Sequence, residues 1–232
     1  MTTAARLSAL VALVCAATTA RAQVGYPPAQ SPYLDLTYSQ EITAIVGYYF
    51  SRADPAGVAP KSAALGGVHY EWRAGGPAHI TAEIARIASS RTVLDPAKPL
   101  ATRDLGEQSW PVWSADVGLG MSLTGARSWH NLVPEIKAGV GLMSDFKGTD
   151  VGDFKYGTRF ALIWGAALRY VPGSSRYQLR ADLTNRLSSI TYPDVYFRSA
   201  ATGIPPILTG KDKSAWRNNP ALSIGISYLF SR

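Results

Sequence analysis

Apolar and polar residues alternate along most of the chain, in segments separated by turn residues. In one segment Val68, Tyr70 and Trp72 interleave with His69, Glu71 and Arg73. The same period of two recurs over residues 113–122, 135–142, 159–170, 177–184 and 222–230. This period is typical of β-strands that have one apolar and one polar face.

These segments predict eight strands, over residues 41–52, 62–73, 79–91, 110–123, 130–143, 157–171, 176–190 and 219–230. Short turns near 74–77, 124–127 and 172–175 alternate with longer loops near 53–61, 92–108, 144–156 and 191–218. All short turns therefore lie at one end of an antiparallel up-and-down barrel, as in transmembrane barrels with short periplasmic turns and long outer loops. An even strand count leaves both termini in the periplasm.

The alternation does not decide which face points outward, because a soluble barrel also alternates. Three features favour an all-β, eight-stranded antiparallel transmembrane β-barrel. The polar face is rich in glycine, which suits a narrow lumen, and its acidic and basic residues are balanced. Aromatic residues lie mostly toward the strand ends, as interfacial girdles do. They are Tyr48, Phe50, Tyr70, Trp72, Trp110, Trp113, Trp129, Tyr170, Tyr177 and Tyr228.

Composition and the N-terminus narrow the class further. The chain has 232 residues, of which 47% are apolar and 17% charged, and this excludes a disordered chain. A basic start, the apolar run Leu7–Ala20 and the small residues around Arg21 predict a cleavable signal peptide over 1–22. Residues 23–40 are then a proline-rich periplasmic lead, and 41–232 form the barrel. Whether 33–39 add a strand is left open by the sequence.

Removal of the signal peptide would also remove Cys15, the one cysteine of the chain. The mature chain would keep 21 basic and 16 acidic residues, a net charge of about +5. That charge alone would allow a nucleic-acid partner, but the export signal argues against one.

The last strand, Leu222 to Phe230, resembles the C-terminal signature of bacterial outer-membrane β-barrel proteins of the small eight-stranded class. The resemblance covers nearly the whole mature chain and identifies no subfamily. It implies a Gram-negative outer-membrane location, contact with outer-membrane lipid and lipopolysaccharide, and recognition of Phe230 by the barrel insertion machinery. Ser231 and Arg232 follow Phe230, which departs from the usual terminal aromatic. Because the resemblance is architectural, it implies no activity.

Charged residues on the polar face form the first candidate site. They are Glu71, Arg73, Glu83, Asp116, Glu135, Lys137, Arg169, Arg180 and Asp182. An eight-stranded barrel is just wide enough for its own side chains, so we expect these charges to pair and close the lumen. The predicted function is a structural or surface-interaction barrel that acts through its outer loops. A narrow, porin-like channel or transport barrel for a small or apolar solute is the alternative.

Catalysis and metal binding have little support in the sequence. His69, His79 and His130 have no metal-ligand spacing, and the mature chain has no thiol. His79 and His130 are expected at the periplasmic end, away from lipid A, and no serine pairs obviously with His69. We therefore expect no metal, no cofactor and no lipid A-modifying activity.

The long loop at 191–218 carries the second candidate site, an apolar patch rimmed by cations. Its residues are Tyr196, Phe197, Arg198, Ile204, Ile207, Lys211 and Lys213. A surface of this kind binds a protein or a glycolipid, whereas the alternative is that its apolar groups pack on one another. The protein partner is not identified by the sequence.

One strand fits the alternation poorly. In the third predicted strand Arg86 falls on the lipid face and Ile87 on the lumen face. A β-bulge near Ala85, or a position of Arg86 at the outer rim, would resolve the conflict. A rim arginine could contact lipopolysaccharide phosphate or reach water.

Overall fold

The computed structural model describes residues 31–173 and 175–230. The barrel lies within the compact unit Tyr33–Arg232. The predicted signal peptide, Ser231 and Arg232 lie outside the described residues.

The described chain contains twelve β-strands and one short 3-10 helix, Asp194–Phe197. The strands are β1 (Tyr33–Asp35), β2 (Gln40–Tyr49), β3 (Ala63–Gly75), β4 (Ala78–Ile87), β5 (Ser90–Leu94), β6 (Asp104–Ser109), β7 (Val112–Ser122), β8 (Arg127–Trp129), β9 (Leu132–Ser144), β10 (Thr158–Tyr170), β11 (Tyr177–Thr191) and β12 (Ser214–Phe230). Within the described residues, no helix is long and apolar enough to span a membrane.

Eight of these strands close into an antiparallel barrel, in the order β2, β3, β4, β7, β9, β10, β11 and β12. The circle is completed by pairing of β12 with β2 and of β7 with β9. The predicted fold class is thereby confirmed. Short connections join β3 to β4 and β10 to β11 at one end, named here the turn end, and the long connections lie at the opposite loop end.

The exterior of the barrel is apolar, and the interior carries buried charges along its turn-end half. Val46, Val117, Leu119 and Ile224 are each about 60% exposed on the outer face, whereas Arg169 on the inner face is fully buried. This distribution is that of a transmembrane barrel and the reverse of a soluble one. Trp110 departs from the predicted girdle, because it is buried among the loops.

Glycines on the inner face allow neighbouring strands and side chains to approach closely. A Cβ atom at Gly139 would lie 2.3 Å from the Val117 carbonyl oxygen, and one at Gly120 would lie 1.9 Å from His79 Nε2. Real Cβ atoms do not come this close, so Gly139, which faces backbone atoms, requires glycine, whereas a side chain at position 120 would displace the His79 ring. Both close approaches agree with the narrow lumen that the sequence predicts.

The strand bounds differ from the prediction at the loop end. The third barrel strand, β4, ends at Ile87, and the predicted loop at 92–108 contains most of a separate hairpin, β5 with β6. The last strand starts at Ser214 instead of residue 219 and pairs with β11 along its outer half. Since β2 ends at Tyr49, opposite Ala221, the outer half of β12 has no ladder partner on that side.

Of the two explanations offered for the poor fit of this strand, the bulge near Ala85 is not observed. The register of β4 against β7 is continuous from Ala78 to Ile87, and the irregularity lies between Arg73 and Gly75 of β3. Arg86 is exposed close to the loop end, as the rim explanation requires. Ile87 faces inward and is buried, because the lumen is apolar at that level.

The lead forms a short strand and then crosses the turn end. β1 pairs with β8, and the Leu36 amide donates to the Ala126 carbonyl at 3.0 Å. Tyr38 follows and is buried beneath Arg73 and Arg169, whose guanidinium carbons lie 4.8 Å and 5.2 Å from its ring centre. Burial raises the pKa of the Tyr38 phenol, which stays neutral there.

Candidate functional site

Two arginines hold three carboxylates together in the turn-end half of the lumen. Strand alternation turns Arg169 of β10 and Arg180 of β11 inward, toward Glu41, Glu71 and Glu135 on β2, β3 and β9. All five residues are 2% exposed or less. Taken together, they are named the arginine-pair cluster.

Each carboxylate of this cluster contacts both guanidinium groups. Arg169 lies 2.7 Å from Glu41, 3.3 Å from Glu71 and 2.6 Å from Glu135. Arg180 lies 3.3 Å, 2.9 Å and 3.3 Å from the same three residues. Such shared, charge-assisted contacts offset the cost of burying charges, which is several kcal/mol per ion when unpaired.

A second charge cluster lies midway along the lumen. Arg186 contacts Glu83 at 2.6 Å and Asp116 at 2.7 Å. Lys137 bridges Glu83 at 3.8 Å and Asp182 at 2.8 Å. Asp182 also accepts from Arg180 Nε at 2.8 Å, so the two clusters form one connected network.

The network contains more acids than permanent cations. Six carboxylates (Glu41, Glu71, Glu83, Asp116, Glu135 and Asp182) face four cationic side chains (Lys137, Arg169, Arg180 and Arg186). Two buried imidazoles complete it. His69 lies 3.3 Å from Glu83, and His79 lies 3.7 Å from Glu71 and 3.9 Å from Glu135.

Glu71, His79 and Glu135 also meet the geometry of a metal site. One ligand atom from each lies within 4.8 Å of the others. Both carboxylates, however, already contact Arg169 and Arg180 within 3.3 Å. The two guanidinium groups already balance the negative charge of these carboxylates, and they would repel a divalent cation placed between them. The arginines are therefore the counter-ions of Glu71 and Glu135 in this arrangement.

Eight of the nine predicted lumen residues join this network, and Arg73 does not. Arg73 donates from Nη1 to the Leu36 carbonyl at 2.9 Å and has no ion pair within the described chain. Arg73 lies near the turn-end terminus of β3 and contacts the segment before β2, so it stands apart from the lumen charges. Glu41, His69, His79 and Arg186 were not among the predicted members. Arg186 continues the alternation of Arg180 and Asp182 along β11, so its inward position could have been predicted from the sequence.

The loop-end half of the lumen is filled mainly by apolar side chains. Strand alternation continues there, and most of the inward residues are apolar: Ile45, Leu65, Ile87, Val112, Met143, Ile163 and Ile190, all buried. These apolar residues are named the apolar plug. A few buried polar residues lie beside them, among them Ser114, Ser188, Arg217 and Asn219. Between the plug and the charges lies a cavity of about 20 Å³, room for about one water molecule, lined in part by His69, Glu83 and Lys137.

The loops pack onto the apolar plug and form a cap. Phe154, Tyr192 and Tyr196 stack with ring centres 6.4 Å apart. Arg91 lies 4.0 Å above the Trp110 ring and contacts Asp150 at 2.6 Å. A fully buried arginine thus joins the β5–β6 hairpin to the neighbouring loop.

Of the two alternatives left open for the last loop, the structure shows the packed one and not an exposed apolar patch. Tyr196 is fully buried in the cap, and Phe197 and Ile207 pack against the same core. Ile204 is half-buried, while Arg198, Lys211 and Lys213 are exposed. Lys213 and Arg198 both contact Asp194, at 2.6 Å and 3.9 Å. The apolar groups of this loop therefore serve packing, because the plug beneath offers them an apolar surface.

The fold is similar to those of small outer-membrane barrels among the solved structures. The outer membrane protein OprG from Pseudomonas aeruginosa superposes with a TM-score of 0.54 at 13% identity, over 85% of this chain and 99% of that one. Neisserial surface protein A superposes with a TM-score of 0.50 at 13% identity, over 82% and 97%. No protein-family model and no curated protein sequence matches the chain.

These comparisons assign the fold to the class of small eight-stranded outer-membrane barrels. At 13% identity they concern the fold alone, and the lumen and cap described above are features of this chain.

Proposed function

We propose that this protein is a bacterial outer-membrane barrel whose lumen is closed and whose task lies in the surface formed by its loop end. The observation that carries the proposal is the double closure of the lumen. The charge network fills the turn-end half, and the apolar plug with its cap fills the loop-end half. A barrel filled in this way acts as a rigid support for its loops.

Planar-bilayer recording of the refolded protein tests the closure. A closed lumen gives no steady conductance at moderate voltage. Steady ion-selective steps that change in selectivity when Glu83 is replaced by Gln would favour the alternative, a narrow channel, and would reject the closed barrel.

The proposed orientation places the turn end and both termini in the periplasm and the loop end outside the cell. Long loops face outward in barrels of this class. The predicted mature chain has no cysteine, so single-cysteine labelling of intact cells is clean. Gly148→Cys at the loop end should react with a membrane-impermeant maleimide, and Ala126→Cys at the turn end should not. The reverse pattern would overturn the orientation.

Two proposed partners follow from this placement. Lipid and lipopolysaccharide would contact the apolar exterior, with the exposed Arg86 at the outer rim, and the insertion machinery would read the strand that ends at Phe230. Replacing Phe230 by Ala should reduce insertion in cells more than replacing the lipid-facing Tyr228 by Ala. Equal effects would argue against a special role for Phe230.

An enzymatic role receives no support from the histidines. The ionic contacts of His69 and His79 are carboxylates, and His130 lies in a turn beside Trp129. Lipid A from cells carrying His69→Ala should therefore match the wild type by mass spectrometry. A changed acylation pattern would contradict this expectation.

A further inference from the structure

Within the part of the chain that the structure describes, Arg217 is a buried cation without an acidic partner. Strand alternation turns it inward on the outer half of β12, where it is 5% exposed. Its Nη2 donates to Ser51 Oγ at 2.5 Å, and its Nε has no hydrogen-bond partner in the described chain. No carboxylate of the described residues lies within ion-pair distance. Buried charges are normally paired, so this position calls for an anion.

The reason for the missing partner lies in the strand lengths. β12 extends beyond Ala221 to Ser214, but β2 ends at Tyr49. The connection 50–62 fills the space beside the unpaired edge, fixed there by the Phe50 amide, which donates to the Pro220 carbonyl at 2.8 Å. A pocket of about 350 Å³ remains between this connection and Arg217.

Acidic, basic and hydroxyl side chains line the pocket. They include Ser51, Arg52, Asp54, Lys61, Ser62 and Arg217. Lys61 is neutralised by an ion pair with Glu107, outside the lining. Asp54 accepts from the Ala59 amide and the Tyr192 hydroxyl, both at 2.9 Å, and from the Val58 amide at 3.4 Å. Arg52 is exposed and, like Arg217, has no ion pair within the described chain.

The hydroxyls of Ser51 and Ser62 donate to backbone carbonyls, so the guanidinium groups are the donors that remain for a ligand. Two guanidinium groups without an ion pair in the described chain suit a tetrahedral oxyanion, because arginine binds phosphate and sulfate through paired hydrogen bonds. The pocket volume lies at the lower end of the range for small-molecule sites, about 300–1,000 Å³, and exceeds what a bare anion needs. We propose that this pocket binds a sugar carrying a phosphate or sulfate group, with the oxyanion between Arg217 and Arg52.

Access to such a ligand from outside the cell rests on the proposed orientation, but binding itself does not. The test is calorimetric titration of the refolded full-length protein in detergent with glucose 6-phosphate, glucose 6-sulfate and glucose. We expect the two charged sugars to bind and glucose to fail. Failure of both charged sugars to bind would overturn the proposal and leave the closed lumen and the orientation untouched.

Variants then locate the site. Arg217→Met should lower the affinity at least about tenfold, since one charge-assisted contact is lost, without loss of folding stability. Arg103→Met is the matched control, because Arg103 is also 5% exposed, donates to the Pro205 carbonyl and does not line this pocket. Its affinity should equal that of the wild type. If Arg217→Met does not fold, the exposed Arg52→Gln decides, and unchanged affinity there would reject the site.

Binding of lipopolysaccharide tests whether the sugar belongs to a membrane glycolipid or is a free solute. A membrane source predicts binding of lipopolysaccharide that is lost on chemical dephosphorylation and weakened by Arg217→Met. If Arg217→Met leaves the binding of both lipopolysaccharide and glucose 6-phosphate unchanged, the pocket is not the site.

Discussion

Replacing Arg169 by Met should be among the most destabilising single changes in this barrel. Arg169 is fully buried and contacts Glu41, Glu71 and Glu135 within 3.3 Å. Methionine fills a similar volume but leaves three carboxylates with one fewer counter-ion in a lumen that already has more acids than permanent cations.

The size of the loss follows from these contacts. Removing one partner of a buried ion pair costs about 3–5 kcal/mol, because the other charge is left buried without compensation. Arg180 still contacts all three carboxylates, so the loss should stay in that range and not multiply by three. Glu135→Gln should cost less, about 1–3 kcal/mol, because it reduces the acid excess and keeps an oxygen that can accept from Ser122.

Equilibrium unfolding in urea, followed by tryptophan fluorescence and gel mobility of the refolded barrel, measures both variants. Arg217→Met is the matched control, since it is the same substitution at a buried arginine without an ion pair, and it should be neutral or stabilising. A loss below about 1 kcal/mol for Arg169→Met, or one equal to that of the control, would refute the idea that paired charges hold the lumen closed.

Three further predictions concern the cap, the strand contacts and the outer surface. Tyr196→Ala should cost about 3–5 kcal/mol and expose the last loop to protease, while Tyr196→Phe should cost nothing, because the buried hydroxyl has no partner in the described chain. Gly139→Ala should prevent refolding or lower the melting temperature by many degrees, and Gly148→Ala, whose Cβ would meet no atom within 4 Å, should not. Lys213 lowers the pKa of Asp194 by a hydrogen bond, so their contact stabilises above the usual aspartate pKa and is lost as the pH falls through the lowered value. Because both groups are exposed, Lys213→Ala should leave the melting temperature unchanged at pH 7, and a clear drop would contradict this.

Most of the barrel could be predicted from alternation, because a period of two records directly which residues face lipid and which face the lumen. The signal fails where both faces are apolar. Ile87 and Ile190 face inward at the loop end, yet their chemistry resembles that of lipid-facing residues. The ends of the strands and the apolar plug were therefore not visible in the sequence.

The cap was hidden for a different reason. Tyr196, Phe154 and Trp110 lie in or beside connections without periodicity, so nothing local shows that they meet over the lumen. The sequence left an exposed and a packed arrangement of the last loop open, because it does not show the apolar surface on which that loop packs. The position of Arg217 depends on the different lengths of β2 and β12, which alternation does not fix.

The cap also determines where foreign peptides can be inserted for display on a cell. In a barrel with a water-facing mouth, each long loop varies in length independently of the others. Here Phe154 and Tyr156 belong to the core that closes the lumen, so an insertion between them should disrupt the packing of the cap on the apolar plug. The tip of the β5–β6 hairpin at 97–102 and the stretch 209–212 are exposed throughout and lie outside that core. This scaffold should accept an inserted peptide at these positions.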